Sequence, residues 1–279
     1  MKVLVTGAGG QLGRALARAG ALGPPHGALD ITDAAAVLRA LDEVRPDVVV
    51  NAAAYTAVDR AEAERDAAFA VNRGGAQAVA SACAARDVRL VHVSTDYVFD
   101  GEKRGPYVET DAIAPINGYG ASKAAGEAAV LLALPGAIVV RTSWLFSADG
   151  ANFVTTMIRL ARQRPSLRVV ADQEGCPTSA ADLARGILEL AKLGVPGGIY
   201  HFAGAPATTW HALATATIDE AARLGRAPRV PIEAIATADY PTPARRPRSS
   251  VLDTAKVRAL GVTPAPWLEG VRAVVTEFA

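Results

Sequence analysis

Four short, strongly apolar runs divide the first half of this chain: Val3-Leu4-Val5-Thr6, Val48-Val49-Val50, Val88 to Val93, and Ala137-Ile138-Val139-Val140-Arg141. Runs of this length without polar alternation are strands buried on both faces. Segments of helical periodicity separate them. These are Gln11 to Ala19, a stretch from Asp33 to Leu41 that starts on a capping aspartate and stops before Pro46, an Ala-rich stretch from Arg65 to Arg86, and Tyr119 to Leu134, which ends at Pro135-Gly136. Strand and helix in regular alternation imply an α/β fold, a doubly wound parallel sheet of the Rossmann type.

Beyond about residue 145 the rhythm loosens. Helical patterns near 152–163, 180–193, 210–224 and 267–277 remain, and prolines concentrate from 228 to 247. The expected organisation is a dinucleotide-binding domain over residues 1–145, with helices and a strand from 180–235 available to complete it. Residues 146–279 then form a smaller mixed C-terminal substrate-binding lobe, with the cleft at the carboxyl ends of the strands.

A chain of 279 residues with 51% hydrophobic content has enough apolar surface for a full core. Its 29 Lys and Arg nearly cancel its 28 Asp and Glu. That balance leaves no broad field for a phosphate polymer or an anionic membrane, so neither nucleic acid nor membrane is an expected partner. Cys83 and Cys176 stand far apart, outside any C-x-x-C pair, which argues for a reducing, cytoplasmic setting. The N-terminal apolar run is too short for a signal segment or a span, and no later run approaches about 18 residues. His26, His92, His201 and His211 show no ligand spacing, so no metal site is expected.

Three local patterns carry chemistry. The turn Gly7-Ala8-Gly9-Gly10-Gln11-Leu12-Gly13 lies between the first strand and the first helix. Its G-x-x-G-x-x-G spacing lets backbone N–H groups and a helix N-terminus approach a pyrophosphate; the plain alternative is a tight turn and nothing more. Tyr119 and Lys123 form Y-x-x-x-K at the start of a helix and share one face. A phenol near a cation can give a proton to a new alkoxide, and the same lysine can hold ribose hydroxyls, although Tyr and Lys at this spacing also occur as a mere helix pair. Ser94 and Thr95 close the third buried strand at its ligand edge. There Thr95 is placed to bond a substrate carbonyl oxygen beside Tyr119, or only to cap the following turn.

Together these patterns resemble the extended short-chain dehydrogenase/reductase superfamily. Four longer strings narrow the likeness: Asn51-Ala52-Ala53-Ala54-Tyr55-Thr56-Ala57-Val58-Asp59, Ser94-Thr95-Asp96-Tyr97-Val98-Phe99-Asp100-Gly101, Arg141-Thr142-Ser143-Trp144-Leu145-Phe146 and Asp172-Gln173-Glu174-Gly175-Cys176-Pro177-Thr178. They resemble the dTDP-4-dehydrorhamnose reductase family, over essentially the whole chain. The resemblance implies reduction of the C4 ketone of dTDP-4-dehydro-6-deoxy-L-mannose by NADPH or NADH, giving dTDP-L-rhamnose. It assigns Gly10, Gln11 and Leu12, within the Gly7 to Gly13 turn, to the pyrophosphate. Asp30 and Ile31 go to the adenine side, and Ala53, Ala54 and Tyr55 to the nicotinamide side. Tyr119 becomes the proton donor and Lys123 its partner, while Thr95 modulates Tyr119 and contacts the substrate with Asp96. Trp144 packs against sugar or nicotinamide, or serves as an ordinary core indole. Arg248, in Arg245-Arg246-Pro247-Arg248-Ser249-Ser250, pairs with a nucleotide diphosphate or belongs to a solvated charge cluster.

Two departures from the family pattern matter. The family has a second strand ending in an acid, where this chain has only Ala21 to Ala28 with Pro24-Pro25, so the choice between NADPH and NADH stays open. An acidic residue used by some members for a magnesium-linked dimer is Ala15 here, so a metal-bridged dimer is not expected and a monomer or a plain homodimer is. Competing functions are a reductase or epimerase of another nucleotide-linked deoxysugar, and a non-catalytic cofactor-binding regulatory subunit. Intact Tyr119, Lys123 and Thr95 weigh against the last.

Overall fold

The computed structural model describes residues 1–24 and 29–278, so His26 lies outside the described residues. The strands, in chain order, are β1 (Val3–Thr6), β2 (Val48–Asn51), β3 (Arg89–Thr95), β4 (Ile138–Thr142), β5 (Leu145–Phe146), β6 (Leu167–Val170), β7 (Glu174–Gly175), β8 (Thr178–Ser179), β9 (Gly198–His201), β10 (Thr208–Thr209) and β11 (Ile232–Ile235). The helices are α1 (Gln11–Arg18), α2 (Ala34–Val44), α3 (Arg65–Phe69), α4 (Ala76–Ala85), α5 (Gly118–Ala133), α6 (Phe153–Gln163), α7 (Ala180–Leu193), α8 (Trp210–Arg223), α9 (Ala255–Ala259) and α10 (Trp267–Glu277).

The central sheet runs β1-β2-β3-β4-β9, every pair parallel. Successive side chains leave a strand on opposite faces, and here both faces are dry. Val3, Val5, Val48, Val50 and Val140 enter the layer beneath α1 and α7. Leu4, Val49, Leu90 and Val139 enter the opposite layer, beneath α2, α4 and α5. The α/β doubly wound fold is thus the one the alternating runs imply. Where the family pattern has a second strand, Leu22 makes a lone parallel bridge to Leu4, its N–H donating to Val3 O and its carbonyl accepting from Val5 N, each at 2.7 Å.

Residues 65–86 read as one helix but fold as α3, a π-helical turn over Ala70–Gly75, and α4. The wider turn has a cause in its contacts. Buried Asn72 sits within it, accepts from Tyr55 N–H at 2.8 Å and donates to Tyr55 O and to Ser122 Oγ of α5.

The later half builds a second core. Phe146, Ile158, Leu213, Ile218, Val271 and Val275 close it between α6, α8 and α10. Beneath them β6 and β11 pair in parallel, Leu167 opposite Ile232. No described helix is long and apolar enough to cross a membrane.

One ion pair ties α5 to the sheet from inside. Arg141 of β4 donates from Nε and Nη2 to Glu127 Oε1 and Oε2 at 2.9 and 2.7 Å, with both side chains under 5% exposed. His201 lies beside the pair and bonds through Nδ1 to Tyr107 O at 3.1 Å. Burial and the Arg141 charge push the His201 imidazole from its ordinary 6.5 down to about 4, and burial holds His92 well below 6.5. An unfolded chain takes up these protons near pH 6.5, whereas the folded chain resists until lower pH. The stability is therefore whole above about 6.5 and drains as pH falls toward 4. For His201 alone the loss at about pH 5 is roughly 2 kcal/mol. We expect a lower urea midpoint at about pH 5 than at neutrality, with part of the difference absent in His201→Gln. An identical acid slope in the two chains would exclude this imidazole as the titrating group.

Candidate active site

The carboxyl ends of β1 to β4 open on a cleft of about 420 Å³. Its floor is the turn from β1 into α1. Gly7 takes φ +69, and Gly10 donates its N–H to Gly7 O at 3.0 Å. A Cβ on Gly13 would stand 2.2 Å from Gly7 O, so the helix can meet the turn only without a side chain there. Gly10 is the N-cap of α1 and offers no side-chain bond, leaving the first-turn N–H groups of Gln11, Leu12 and Gly13 beside the cleft. Such an end attracts an anion. Ser94 Oγ and Thr142 Oγ1, also lining the cleft, are buried and lack hydrogen-bond partners in the protein. A cradle that no Cβ can occupy, an uncapped helix and unsatisfied hydroxyls fit a dinucleotide with its pyrophosphate on α1.

The opposite wall belongs to β3 and α5. Asn117 caps α5, accepting from Gly120 N–H at 2.7 Å, and Glu62 accepts from Gly118 N–H at 2.7 Å. That start places Tyr119 and Lys123 one turn apart on the cleft side. A Cβ on Gly120 would lie 2.1 Å from Tyr97 O, and one on Gly126 2.1 Å from Asn72 O, so α5 is pressed directly onto backbone. Lys123 Nζ donates to Val93 O at 2.7 Å. The Thr95 hydroxyl lies on the same wall as the Tyr119 phenol, near enough to lower its proton affinity. Thr95 Oγ1 donates to Asp96 Oδ1 at 2.9 Å and accepts from Tyr97 N–H at 3.2 Å.

Dryness sets the proton affinities of this wall. Burial pushes the Tyr119 phenol up to about 12, against the influence of the nearby Thr95 hydroxyl, which lowers it. Burial likewise pulls the Lys123 ammonium down to about 8, with the Glu127 carboxylate resisting. The Asp96 carboxyl is lifted to about 7 by the same desolvation, opposed by the neighbouring Ser250 hydroxyl and by Thr95, which donates to it at 2.9 Å. Titratable groups this far from their ordinary values, gathered in one cleft, mark a site for proton chemistry.

Of the residues assigned from sequence, Gly10, Gln11, Leu12, Gly13, Ala54, Thr95, Asp96, Tyr119, Lys123 and Trp144 all line this cleft. Ala53 donates its N–H to Thr6 Oγ1 at 3.4 Å, and Tyr55 stands beside the cleft, its hydroxyl donating to Glu64. Asp30 and Ile31 do not line it. Asp30 is exposed and holds the Thr32 N–H and hydroxyl, while Ile31 fills the layer beneath α2 and α4. Arg248 is not brought to the cleft either: it is exposed and lines a separate groove with Lys103, Asp172 and Glu174.

Other groups were not evident from sequence. Thr6 donates to Asn51 Oδ1 at 2.6 Å, and Asn51 Nδ2 meets His92 Nδ1 at 3.1 Å, a buried polar chain across β1, β2 and β3. Trp144 adopts φ +48 and stacks on Trp210, centroids 3.5 Å apart and planes 6° from parallel, with Phe153 against Trp210. A second groove of about 430 Å³ shares Tyr97, Phe153 and Trp210 with the cleft and carries Arg164, Arg168 and Arg246. Arg246 is held by Asp59 at 2.9 Å. The buried pairing of Asn51 with His92 leaves no local sequence signal, but two Trp residues in a chain only 5% aromatic do leave one.

The family model described as the RmlD substrate binding domain matches residues 1–279. The dTDP-4-dehydrorhamnose reductase of Aggregatibacter actinomycetemcomitans is 46% identical over 98% of this chain and 98% of its own. The dTDP-4-keto-6-deoxy-D-glucose reductase of Streptomyces niveus is 45% identical, covering 94% of this chain and 91% of its own. Among solved structures, the dTDP-4-dehydrorhamnose reductase of Bacillus anthracis, in complex with NADP, superposes with a TM-score of 0.92 at 38% identity, covering 99% of this chain and 100% of that one. With its parallel sheet, its glycine turn and its Tyr119, Lys123 and Thr95 set in one cleft, the chain belongs to the RmlD substrate binding domain family, that of the dTDP-4-dehydrorhamnose reductases.

Proposed function

We propose that the chain reduces the C4 ketone of dTDP-4-dehydro-6-deoxy-L-mannose to dTDP-L-rhamnose with NADPH or NADH, Tyr119 donating the proton. One observation carries the reading: the glycine cradle of α1 faces the same cleft as Thr95, Tyr119 and Lys123. The activity named for the A. actinomycetemcomitans relative supports it, and so does the NADP named for the B. anthracis structure.

A reduced nicotinamide, when bound, supplies the hydride. The residues of the chain supply position and proton. Gly10, Gln11 and Leu12 would hold the pyrophosphate through backbone N–H groups, with Ala53, Ala54 and Tyr55 on the nicotinamide side and Asp30 and Ile31, outside the cleft itself, on the adenine side. Trp144 packs against the sugar, and Thr95 and Asp96 contact it. The nucleotide diphosphate extends into the second groove, toward Arg164, Arg168 and Arg246, and this remote binding helps position the ketone. The negative charge that develops on the ketone oxygen during reduction would be met by the Tyr119 phenol, which burial keeps protonated at neutral pH. Tyr119 Oη–H breaks as the sugar O–H forms, and the Lys123 ammonium stabilises the phenolate left behind.

A second reading has one observation in its favour. The S. niveus relative, nearly as similar, is named for a different keto sugar. Product analysis with both dTDP-keto sugars separates the two.

The primary test is oxidation of NADPH and of NADH in the presence of the dTDP-keto sugar. Tyr119→Phe is expected to lower kcat by about a hundredfold or more, with cofactor affinity retained. Full activity in that variant would remove Tyr119 as the donor. Because Lys123 is charged below about 8 and neutral above, kcat of the wild-type chain is expected to fall as pH rises through about 8. A rate that stays level to about pH 9.5 would show that the ammonium charge is not used.

A further inference from the structure

Tyr119 is the second residue of α5, and the start of that helix is held by more than its cap. Asn117 Oδ1 accepts from Gly120 N–H at 2.7 Å, the bond of an ordinary N-cap. Glu62 Oε1 accepts from Gly118 N–H at 2.7 Å, and a Cβ on Gly118 would stand 2.7 Å from Ala61 O, so the single turn Arg60–Glu62 lies directly against the helix end. A further hold is one the helix itself does not need. Asn117 Nδ2 donates to Arg245 O at 2.9 Å, across 128 residues of sequence. Aspartate or serine would cap as well as asparagine, but only the amide nitrogen reaches the C-terminal segment.

That segment is fastened a second time. Asp59 Oδ1 accepts from Ala244 N–H at 3.2 Å, and Asp59 Oδ2 from Arg246 Nη2 at 2.9 Å. Residues 241–247 form neither helix nor strand, so their position depends on bonds of this kind. Asp59 also begins the turn Arg60–Glu62, its carbonyl accepting from Glu62 N–H at 3.3 Å. The contacts therefore close a ring: Asp59 to residues 244–246, Arg245 O to Asn117, Gly118 to Glu62, and Glu62 back to Asp59. Tyr119 leaves this ring toward the cleft, whereas Asp59 and Arg246 line the second groove. Asn117 is 6% exposed and lines neither space.

We propose that Asn117 is a positioning residue for the reduction, tying the Tyr119 end of α5 to the Arg246-bearing segment so that the proton donor and the outer groove are set by one fastening. The proposal rests on the reductase reading above. A diphosphate drawn to Arg246 bears on a segment whose preceding carbonyl is the one Asn117 holds. Binding of the remote part of the substrate is thereby spent on the donor's position, which raises kcat rather than merely lowering KM. The amide takes no part in proton transfer. It keeps the phenol in reach of the ketone oxygen, where a displacement of about 1 Å costs up to roughly a hundredfold in rate.

The test separates the cap from the link. Asn117→Ser keeps an acceptor for Gly120 N–H and loses the donor to Arg245 O, whereas Asn117→Ala loses both. Asn117→Ser is expected to keep the wild-type Tm and KM for the dTDP-keto sugar and NADPH, while kcat falls about tenfold. Asn117→Ala is expected to show the same loss of kcat and to melt about 2–4 °C lower. Wild-type kcat in Asn117→Ser would leave Asn117 a cap and overturn the proposal, and a raised KM at unchanged kcat would overturn it too. Asp59→Ala opens the ring on its other side. Its kcat is also expected to fall, and that of the Asp59→Ala, Asn117→Ser double variant to fall little below the lower single, because both cut one connection. Losses that multiply would show independent roles and overturn the proposal. Should Asn117→Ser not fold, Asn117→Asp, which caps but cannot donate, carries the same expectations; failure of both to fold would assign Asn117 to the fold alone and overturn the proposal. No oxidation of NADPH or NADH by the wild-type chain would sink the reductase reading and this proposal with it. Oxidation by wild type with Asn117→Ser undiminished would sink this proposal alone.

Discussion

The seating of α5 is the constraint on which the site depends. Gly118, Gly120 and Gly126 bring the helix against the carbonyls of Ala61, Tyr97 and Asn72 so closely that a single methyl at any of the three would force backbone apart. Protein interiors transmit such displacement rather than absorb it. The Glu127–Arg141 pair fixes the same helix to β4 from the inner side, where removing one partner costs about 3–5 kcal/mol because the other is left charged and dry. Between these two anchors, Tyr119 and Lys123 have little freedom. Their position is thus a property of packing several residues away from the chemistry.

Dryness does the second part of the work. The carboxyl edge of the sheet is walled by the aromatic cluster of Trp144, Trp210 and Phe153 on one side and by α5 on the other. In such surroundings charge is disfavoured unless it has a partner, and every interaction between charges is stronger than in water. The phenol therefore keeps its proton, the ammonium is ready to part with its own, and the Asp96 carboxyl sits near the balance point. No single residue creates these values. They follow from excluding water at the place where the sheet ends.

What the sequence makes legible is what is local. β1 to β4 stand out because a strand buried on both faces must be apolar at every position, and α1, α2 and α5 carry their caps and their periodicity with them. β9 does not stand out: Gly198-Ile199-Tyr200-His201 begins on a glycine and ends on a histidine whose burial is explained only by Arg141 and Tyr107. β6 and β11 are four residues each, with several positions exposed, and only their pairing makes them strands. Within the site, the glycine turn and the Tyr119–Lys123 spacing obey helix and turn geometry and can be read directly. The Thr6, Asn51 and His92 chain depends instead on register, Thr6 opposite Asn51 and Asn51 opposite His92, which no local pattern encodes. The fate of Arg248 was hidden for a related reason. An irregular segment has no period, so Arg245-Arg246-Pro247-Arg248 does not say which guanidinium turns toward which groove: Arg246 lines the one beside the cleft and Arg248 a separate one.

Tyr97, Phe153 and Trp210 form a party wall between the cleft and the arginine-bearing groove. A mutation there that widens the cleft also redraws the room available in the groove next door. The inner and outer portions of a ligand therefore cannot be re-selected independently through this wall. Reshaping the cleft without disturbing its neighbour is left to the far rim, around Ala151 and Asn152, which line the cleft but not the second groove.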